Sequence, residues 1–385
     1  MQVGHFRTQV LMRVAAVSLM LLCIPFASAQ TAATSKRRTA QGGNIQIPSR
    51  PAQSLFQGGQ GSQRTEIRFD STTGMVTLKL LVQDPNGYFI PNIRRDNFRV
   101  YENGVRQTNA TVEIEHSPVF LAMLMEYGGR QRTLNRELGP MVRRAGRQIL
   151  EQLGRQDQLT VFRYGNSLEQ IADSSQGYDT LERAFSSLQA PDFSEANLYD
   201  ALASLIQRMR DLKGRKAIVL LSSGLDTFSK ISYDDLIKLV KECDTPVYVI
   251  GLDRSLRNGI GIGDAIGPAV KIDWQGAERE LIEIARASGG RSYLPDSVFD
   301  LQPTYDDIME NLRVRYVITY KASTSTDRST SRSVRVELVN SRNGGPLEIV
   351  DANGKTIRAS VVLQASYVPE TAADVTKEPQ KGGLP

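Results

Sequence analysis

The chain predicts an α/β protein built on a doubly wound, mainly parallel sheet that is inserted in, or flanked by, a small β-sandwich. Three observations lead there. Ala217 to Leu221 is an unbroken apolar run, as expected of a parallel strand covered on both faces. From Val119 to Leu312, apolar strands alternate with segments whose apolar residues recur at helical spacing. On either side of that stretch the pattern changes to two-residue alternation, with Val76, Leu78, Leu80 and Val82 upstream and Val314, Tyr316, Ile318 and Tyr320 downstream.

At the start of the chain, His5, Arg7 and Arg13 precede the apolar run Val14 to Phe26, and Ala27-Ser28-Ala29 supplies a small-x-small cleavage site. Residues 1–29 therefore read as a cleaved secretory signal peptide, with the mature chain starting at Gln30 and a secreted or periplasmic destination. The run is shorter than the roughly 20 residues a spanning helix needs, and Leu22 is too large for the small residue that lipoprotein processing prefers before Cys23. No later segment is apolar enough to span a membrane, so the mature chain is expected to have no transmembrane segment. Residues 30–64 carry Lys36, Arg37, Arg38, Arg50 and Arg64 with no acidic residue, and read as a disordered linker. The formal net charge of +5 is largely this segment plus Arg7 and Arg13, which leaves the body nearly neutral. That excludes the basic surface stripe of a nucleic-acid-binding fold.

Residues 65–116 form an N-terminal β region. The strand from Val76 ends at the turn Asp84-Pro85-Asn86-Gly87, Phe98 to Tyr101 leads into the hairpin signal Asn103-Gly104, and Val112 to Glu115 adds a strand. In the α/β region, 117–313, Leu138, Met141, Val142, Ala145, Ile149 and Leu153 mark the first helix. Strands follow at Leu159 to Tyr164 and Leu168 to Ala172, then helices at Leu181 to Leu188 and Leu198 to Leu212, the latter with Ser194 as its N-cap. Beyond the Ala217 strand come a helix from Tyr233 to Cys243, a strand from Val247 to Leu252, and a long irregular loop from Arg254 to Trp274 containing Gly259, Gly261, Gly263 and Gly267. A helix around Leu281, a strand from Arg291 to Leu294 and a helix from Val298 to Leu312 complete the region. Residues 314–369 return to β alternation with a hairpin signal at Asn353-Gly354, and 370–385 read as a disordered tail.

Val119 to about Pro295 resembles a von Willebrand factor type A (VWA) domain. SEANLYDAL at 194–202 and GRKAIVLLSSGLDTFS at 214–229 are similar to the exported VWA-related proteins best known from Acidobacteria, and the likeness extends through DNFRVYENGVRQ and RVRYVITYKAS. The resemblance implies a Rossmann-like sheet and an interaction module. It also implies a Mg²⁺ site with the pattern Asp-x-Ser-x-Ser, a distant Thr and a distant Asp, hard oxygen ligands suited to that ion. This chain departs from the pattern. The first motif falls on Glu126, Gly128 and Arg130, the Thr on Ala196, and the distant Asp on Ser223. Only Glu126 and Ser223 keep an oxygen, and Arg130 brings a permanent positive charge. The adhesion site reads as degenerate, with no cofactor expected.

Catalytic residues are scarce. Past the leader His116 is the only histidine, no Gly-x-Ser-x-Gly elbow appears, and Cys243 sits on the apolar side of a helix as a small core residue. With Cys23 in the leader, the mature chain has no internal disulfide. The glycines after Arg254 follow the wrong strand for a dinucleotide fingerprint. Asp200, in the first turns of its helix, is expected to cap loop amides. Asp226 has two readings, one tying down its own loop through Thr227 and one forming the polar centre of a recognition surface.

The expected function is therefore a non-enzymatic, exported binding module. It recognises a protein or surface polymer through Glu126, Tyr127, Gly128, Arg130, Asn197, Ser223, Asp226 and Thr227. A second reading keeps Mg²⁺ or Ca²⁺ on Glu126, Ser223 and Asp226. A third is a structural component of an envelope assembly that makes contact through its sandwich. The oligomeric state is not specified.

Overall fold

Side-chain alternation explains why the central strands are apolar throughout. On the strand Val119–Glu126, Leu121, Met123 and Met125 enter one core while Ala122 and Leu124 enter another. Ala217, Val219 and Leu221 divide from Ile218 and Leu220 in the same way on Arg215–Ser222. Both faces of the sheet are covered, so both parities must be apolar.

The structure, a computed structural model, describes residues 45–46, 54–55, 66–84, 89–90, 93–128, 132–188, 195–260, 272–299, 301–322, 331–350, 356–357, 359–362 and 366–367. In chain order, the upstream strands are β1 (Glu66–Asp70), β2 (Met75–Gln83), β3 (Phe98–Glu102) and β4 (Thr111–His116). The α/β region contributes β5 (Val119–Glu126), α1 (Arg132–Leu150), β6 (Gln158–Tyr164), β7 (Leu168–Asp173), α2 (Tyr178–Ser187) and α3 (Leu198–Met209). It continues with β8 (Arg215–Ser222), α4 (Tyr233–Glu242), β9 (Val247–Gly251), α5 (Asp253–Ile260), α6 (Trp274–Ser288), β10 (Ser292–Tyr293) and α7 (Gln302–Arg313). Downstream lie β11 (Val314–Lys321) and β12 (Arg332–Leu338).

The main sheet runs β7-β6-β5-β8-β9-β10, with Ser54–Leu55 antiparallel beyond β10. β6, β5, β8, β9 and β10 are parallel and β7 is antiparallel to β6. Strand order reverses between β5 and β8, which makes their carboxyl ends the switch point where ligands bind in open α/β sheets. One face is covered by α1, α2 and α7 through residues such as Val142, Ile149, Phe185, Tyr305 and Ile308. The other is covered by α3, α4 and α6 through Leu202, Leu205, Leu236, Val240, Leu281 and Ile284.

The two β regions form one body. β11 pairs antiparallel with β2 on one side and with β4 on the other, and β12 pairs with β3. Val76, Leu78, Leu80, Val100, Tyr316, Ile318, Tyr320 and Val334 share a core between the two sheets. The α/β region is an insertion in this sandwich. It leaves from His116 and returns at Val314, residues that are themselves paired, and the Ser117 amide donates to the Arg313 carbonyl at 3.0 Å. Glu115 fastens the junction by pairing with Lys79 of the sandwich at 2.8 Å and with Arg215 of β8 at 3.2 Å. Lys79 and Ser117 hold its carboxyl below the usual range.

Three expectations change. The stretch from Arg254 is a helix, since Asp253–Ile260 forms α5 with Leu256 fully buried, and Trp274 opens α6 rather than closing a loop. The last helix begins at Gln302, because Leu301 is its N-cap residue and Val298 lies before it. Asn197, not Ser194, is the N-cap of α3. The signal peptide, nearly all of the linker, Arg130, Ser194, Asn353-Gly354, the glycines at 261, 263 and 267, and the tail lie outside the described residues. Among the described residues, no helix is long and apolar enough to cross a membrane.

Candidate functional site

Three parallel strands end side by side at the switch point. Register places Glu126 of β5 beside Tyr164 of β6, and Leu221 beside Met125, so that Ser222 ends β8 next to Glu126. All three residues are fully or almost fully buried. The Glu126 carboxylate is surrounded by donors. The Ser223 amide donates to Oε2 at 2.6 Å and the Ser223 hydroxyl to Oε1 at 2.9 Å. The Ser222 hydroxyl reaches Oε2 at 3.1 Å and the Tyr164 hydroxyl at 3.3 Å.

A hydroxyl has one proton to give. Tyr164 lies closer to Ser222, at 2.8 Å, than to the carboxylate, and Ser222 also accepts from the Gly224 amide at 2.9 Å. The consistent arrangement sends the Tyr164 proton to Ser222 and the Ser222 proton to Glu126. Burial pushes the Glu126 carboxyl up to about 7, opposed by these hydrogen bonds, and pushes the Tyr164 phenol well above its ordinary value.

A second network locks the loop after β8 onto the start of α3. Asp226 accepts from the Tyr199 amide at 3.2 Å and from the Ser229 amide and hydroxyl at 3.2 and 2.6 Å. Asp200 returns the contact by accepting from the Lys230 and Ile231 amides at 2.9 and 3.1 Å, as its position predicts. Asn197 Oδ1 accepts from the Thr227 hydroxyl and the Phe228 amide, each at 3.1 Å. Thr227 completes a reciprocal pair with Ala196. Its hydroxyl accepts from the Ala196 amide at 2.8 Å, and its amide donates to the Ala196 carbonyl at 3.0 Å. The orphan amides at the α3 N-terminus are thus capped from a distant loop.

The predicted residues therefore divide by depth. Glu126, Gly128, Asn197 and Ser223 are buried, and the polar groups of Glu126, Asn197 and Ser223 hold the loops together. Tyr127, Asp226 and Thr227 are half-buried. Of the two readings of Asp226, loop fastening is the one seen, but through Tyr199 and Ser229 rather than Thr227. Tyr127 lies under the Arg163 guanidinium, 4.6 Å from ring centroid to carbon, and Arg163 pairs with Glu169 at 2.6 Å. Absent from the sequence-based set is Phe228, 53% exposed at the top of the pinned loop. Its signal was an aromatic residue within the polar run Asp226-Thr227-Phe228-Ser229.

A divalent cation does not fit this donor set. The Glu126 oxygens face N–H and O–H protons, as do those of Asp226, which accept from the Tyr199 amide of α3 and from the Ser229 amide and hydroxyl. Among the described residues, no three acidic, histidine or cysteine side chains are gathered together. The Ser222 and Ser223 hydroxyls both donate to Glu126. His116 ends β4, just before the start of β5, and β5 puts about 23 Å by its rise per residue between its start and Glu126.

Among solved structures, the chain is similar to an aerotolerance-related membrane protein from Bacteroides fragilis, at 14% identity and a TM-score of 0.38, over 50% of this chain and 98% of that one. It is also similar to a von Willebrand factor type A protein from Catenulispora acidiphila, at 11% identity and a TM-score of 0.39, over 73% and 75% of the two chains. The ArnB paralog VWA2 from Sulfolobus acidocaldarius aligns at 13% identity and a TM-score of 0.37, over 70% and 76%. The inserted region has a doubly wound, Rossmann-like fold, shown by the chain's own strand order, in which β6, β5, β8, β9 and β10 are parallel and β7 is an antiparallel edge. No family model matches the chain. No curated protein matches it either.

Proposed function

We propose that the chain is an exported, non-enzymatic binding module that recognises a protein or surface polymer through the top of its VWA domain, without metal. One observation carries this reading. The loops at the carboxyl ends of β5 and β8 are fastened to each other and to α3 by buried or half-buried acids, leaving Phe228 exposed on a rigid platform. Pre-organisation of this kind lowers the entropy lost on binding, and exposed aromatic anchors concentrate binding energy. The carboxylate in the place of the family's first metal ligand serves as the fastener, which supports recognition by side chains in place of an ion.

The test is affinity capture from the native cell envelope with wild-type and Phe228→Ser protein as bait, read by mass spectrometry. Specific partners depleted at least about fivefold by the substitution would support the reading. Identical capture by the two baits would overturn it. Calorimetric titration with Mg²⁺ and Ca²⁺ is expected to show no heat, and saturable binding would return the site to metal-dependent adhesion.

A second reading has its own observation. β4 is an edge strand of the sandwich sheet, and Ile114 on it is 47% exposed. Contact through this edge would make the chain a structural component of an envelope assembly. Capture that survives Phe228→Ser but is lost on Ile114→Lys would favour that alternative.

A further inference from the structure

A groove of about 850 Å³ lies between α1, α5 and the 295–299 segment, on the face of the sheet covered by α1, α2 and α7. One wall carries Arg143, Arg144 and Arg147 within a single turn of α1. Arg147 is neutralised by Glu182 at 2.6 Å. Arg143 and Arg144 instead donate to main-chain carbonyls, those of Leu188 and Phe299, and among the described residues neither has a carboxylate partner. Each guanidinium has five N–H donors in a fixed fork, so a carbonyl leaves most of that capacity unused.

The groove also has an apolar patch that is held in shape. Met141, Val298 and Phe299 line it, and Phe299 is 70% exposed with Arg144 stacked 4.5 Å from its ring centroid. The segment bearing Val298 and Phe299 is fixed from three sides. Ser255 donates to the Pro295 carbonyl at 2.8 Å and Asn258 to that of Asp296 at 3.2 Å, while Gln148 donates to Val298 at 3.1 Å and accepts from Leu301 at 2.8 Å. The apolar floor therefore stands ready beside two guanidinium groups.

We propose that this groove binds an acidic peptide segment of a partner protein, one carboxylate seated on Arg143 and Arg144 and a neighbouring apolar side chain against Met141, Val298 and Phe299. Charge decides the class. Two arginines with no carboxylate partner among the described residues favour an acidic side chain in bidentate geometry. Glu151 and Asp296 at the margin of the groove would repel a polyanion, which excludes nucleic acid and favours a lone carboxylate flanked by apolar residues.

Fluorescence anisotropy with a fluorescein-labelled, C-terminally amidated peptide Gly-Leu-Glu-Phe-Gly, whose one side-chain carboxylate is flanked by apolar residues, and a control carrying Gln for Glu, tests the assignment on the full chain. Saturable binding of the acidic peptide is expected, weakened about tenfold by Arg143→Gln with Arg144→Gln and by the Gln control. Phe299→Ser, at an exposed position, should weaken binding severalfold with an unchanged melting temperature. Should the double variant unfold, Arg144→Lys decides, because it keeps the charge but loses the fork and should still weaken binding. The proposal is overturned by no saturation up to millimolar peptide or by equal affinity for the Gln control. Folded variants that bind like wild type overturn it equally. Displacement by sulfate at the peptide's own dissociation constant would show a bare anion site and also overturn it.

Discussion

The Ser223 backbone amide donates to the Glu126 carboxylate at 2.6 Å, which ties the loop after β8 to the last residue of β5. Removing the carboxylate orphans unequal groups. In Glu126→Ala, Tyr164 keeps Ser222 as its acceptor at 2.8 Å, while the Ser222 hydroxyl and the Ser223 amide and hydroxyl lose their acceptor in a buried site. Orphaned buried donors cost about 1–3 kcal/mol each. A loss of about 3 kcal/mol is expected at pH 6, measured by urea unfolding. A loss below about 1 kcal/mol would mean that the loop is not held by Glu126.

The same carboxyl predicts a pH dependence. Burial raises it to about 7 in the folded chain from an ordinary value of 4.5. Below about pH 4.5 both states are protonated and the stability is fully present. As pH rises the unfolded chain ionises first, so stability is lost progressively until the folded group ionises near 7. The shift corresponds to a loss on the order of 3 kcal/mol across that window. Other groups titrate too, so the informative quantity is the wild-type stability minus that of Glu126→Gln, which should fall between pH 5 and pH 8. Parallel curves for the two proteins would contradict the assignment.

What was legible in the chain follows from how local each signal is. Ala217 to Leu221 announced a doubly covered strand because burial on both faces removes every polar position. The alternation of Val76 to Val82 and of Val314 to Tyr320 announced sandwich strands for the complementary reason, and the strands that match are the ones that pair. α5 was not legible, since Asp-Arg-Ser-Leu-Arg-Asn-Gly-Ile offers one fully buried leucine and a glycine that reads as loop. The site was legible in place but not in role. Which way an oxygen of Glu126 or Asp226 turns depends on donors 97 and 27 residues away, and no local pattern encodes that pairing.

Asp226 shows the practical difference between those roles. As the centre of a recognition surface it would be dispensable for stability, but as a cap on Tyr199 and an anchor for Ser229 it is not. Asp226→Ala is expected to cost about 1–2 kcal/mol, typical of a lost helix cap. Phe228→Ser should stay within about 0.5 kcal/mol, as exposed substitutions do. Thermal unfolding of the pair checks this, and a reversed order would move Asp226 back to the recognition surface.

Gly224 closes the same loop in a conformation that side chains rarely adopt, at φ +82. A methyl group there would sit 2.8 Å from the Ala277 carbonyl oxygen and 3.0 Å from Leu281, so α6 obstructs it as well. Gly74 has a similar φ of +68 with open space around the added carbon, and so serves as the control. Gly74→Ala should cost about 1 kcal/mol from backbone strain alone, and Gly224→Ala at least about twice that, because strain and collision add. If chemical denaturation gives equal losses, α6 does not press on the loop, and the platform beneath Phe228 is held by hydrogen bonds alone.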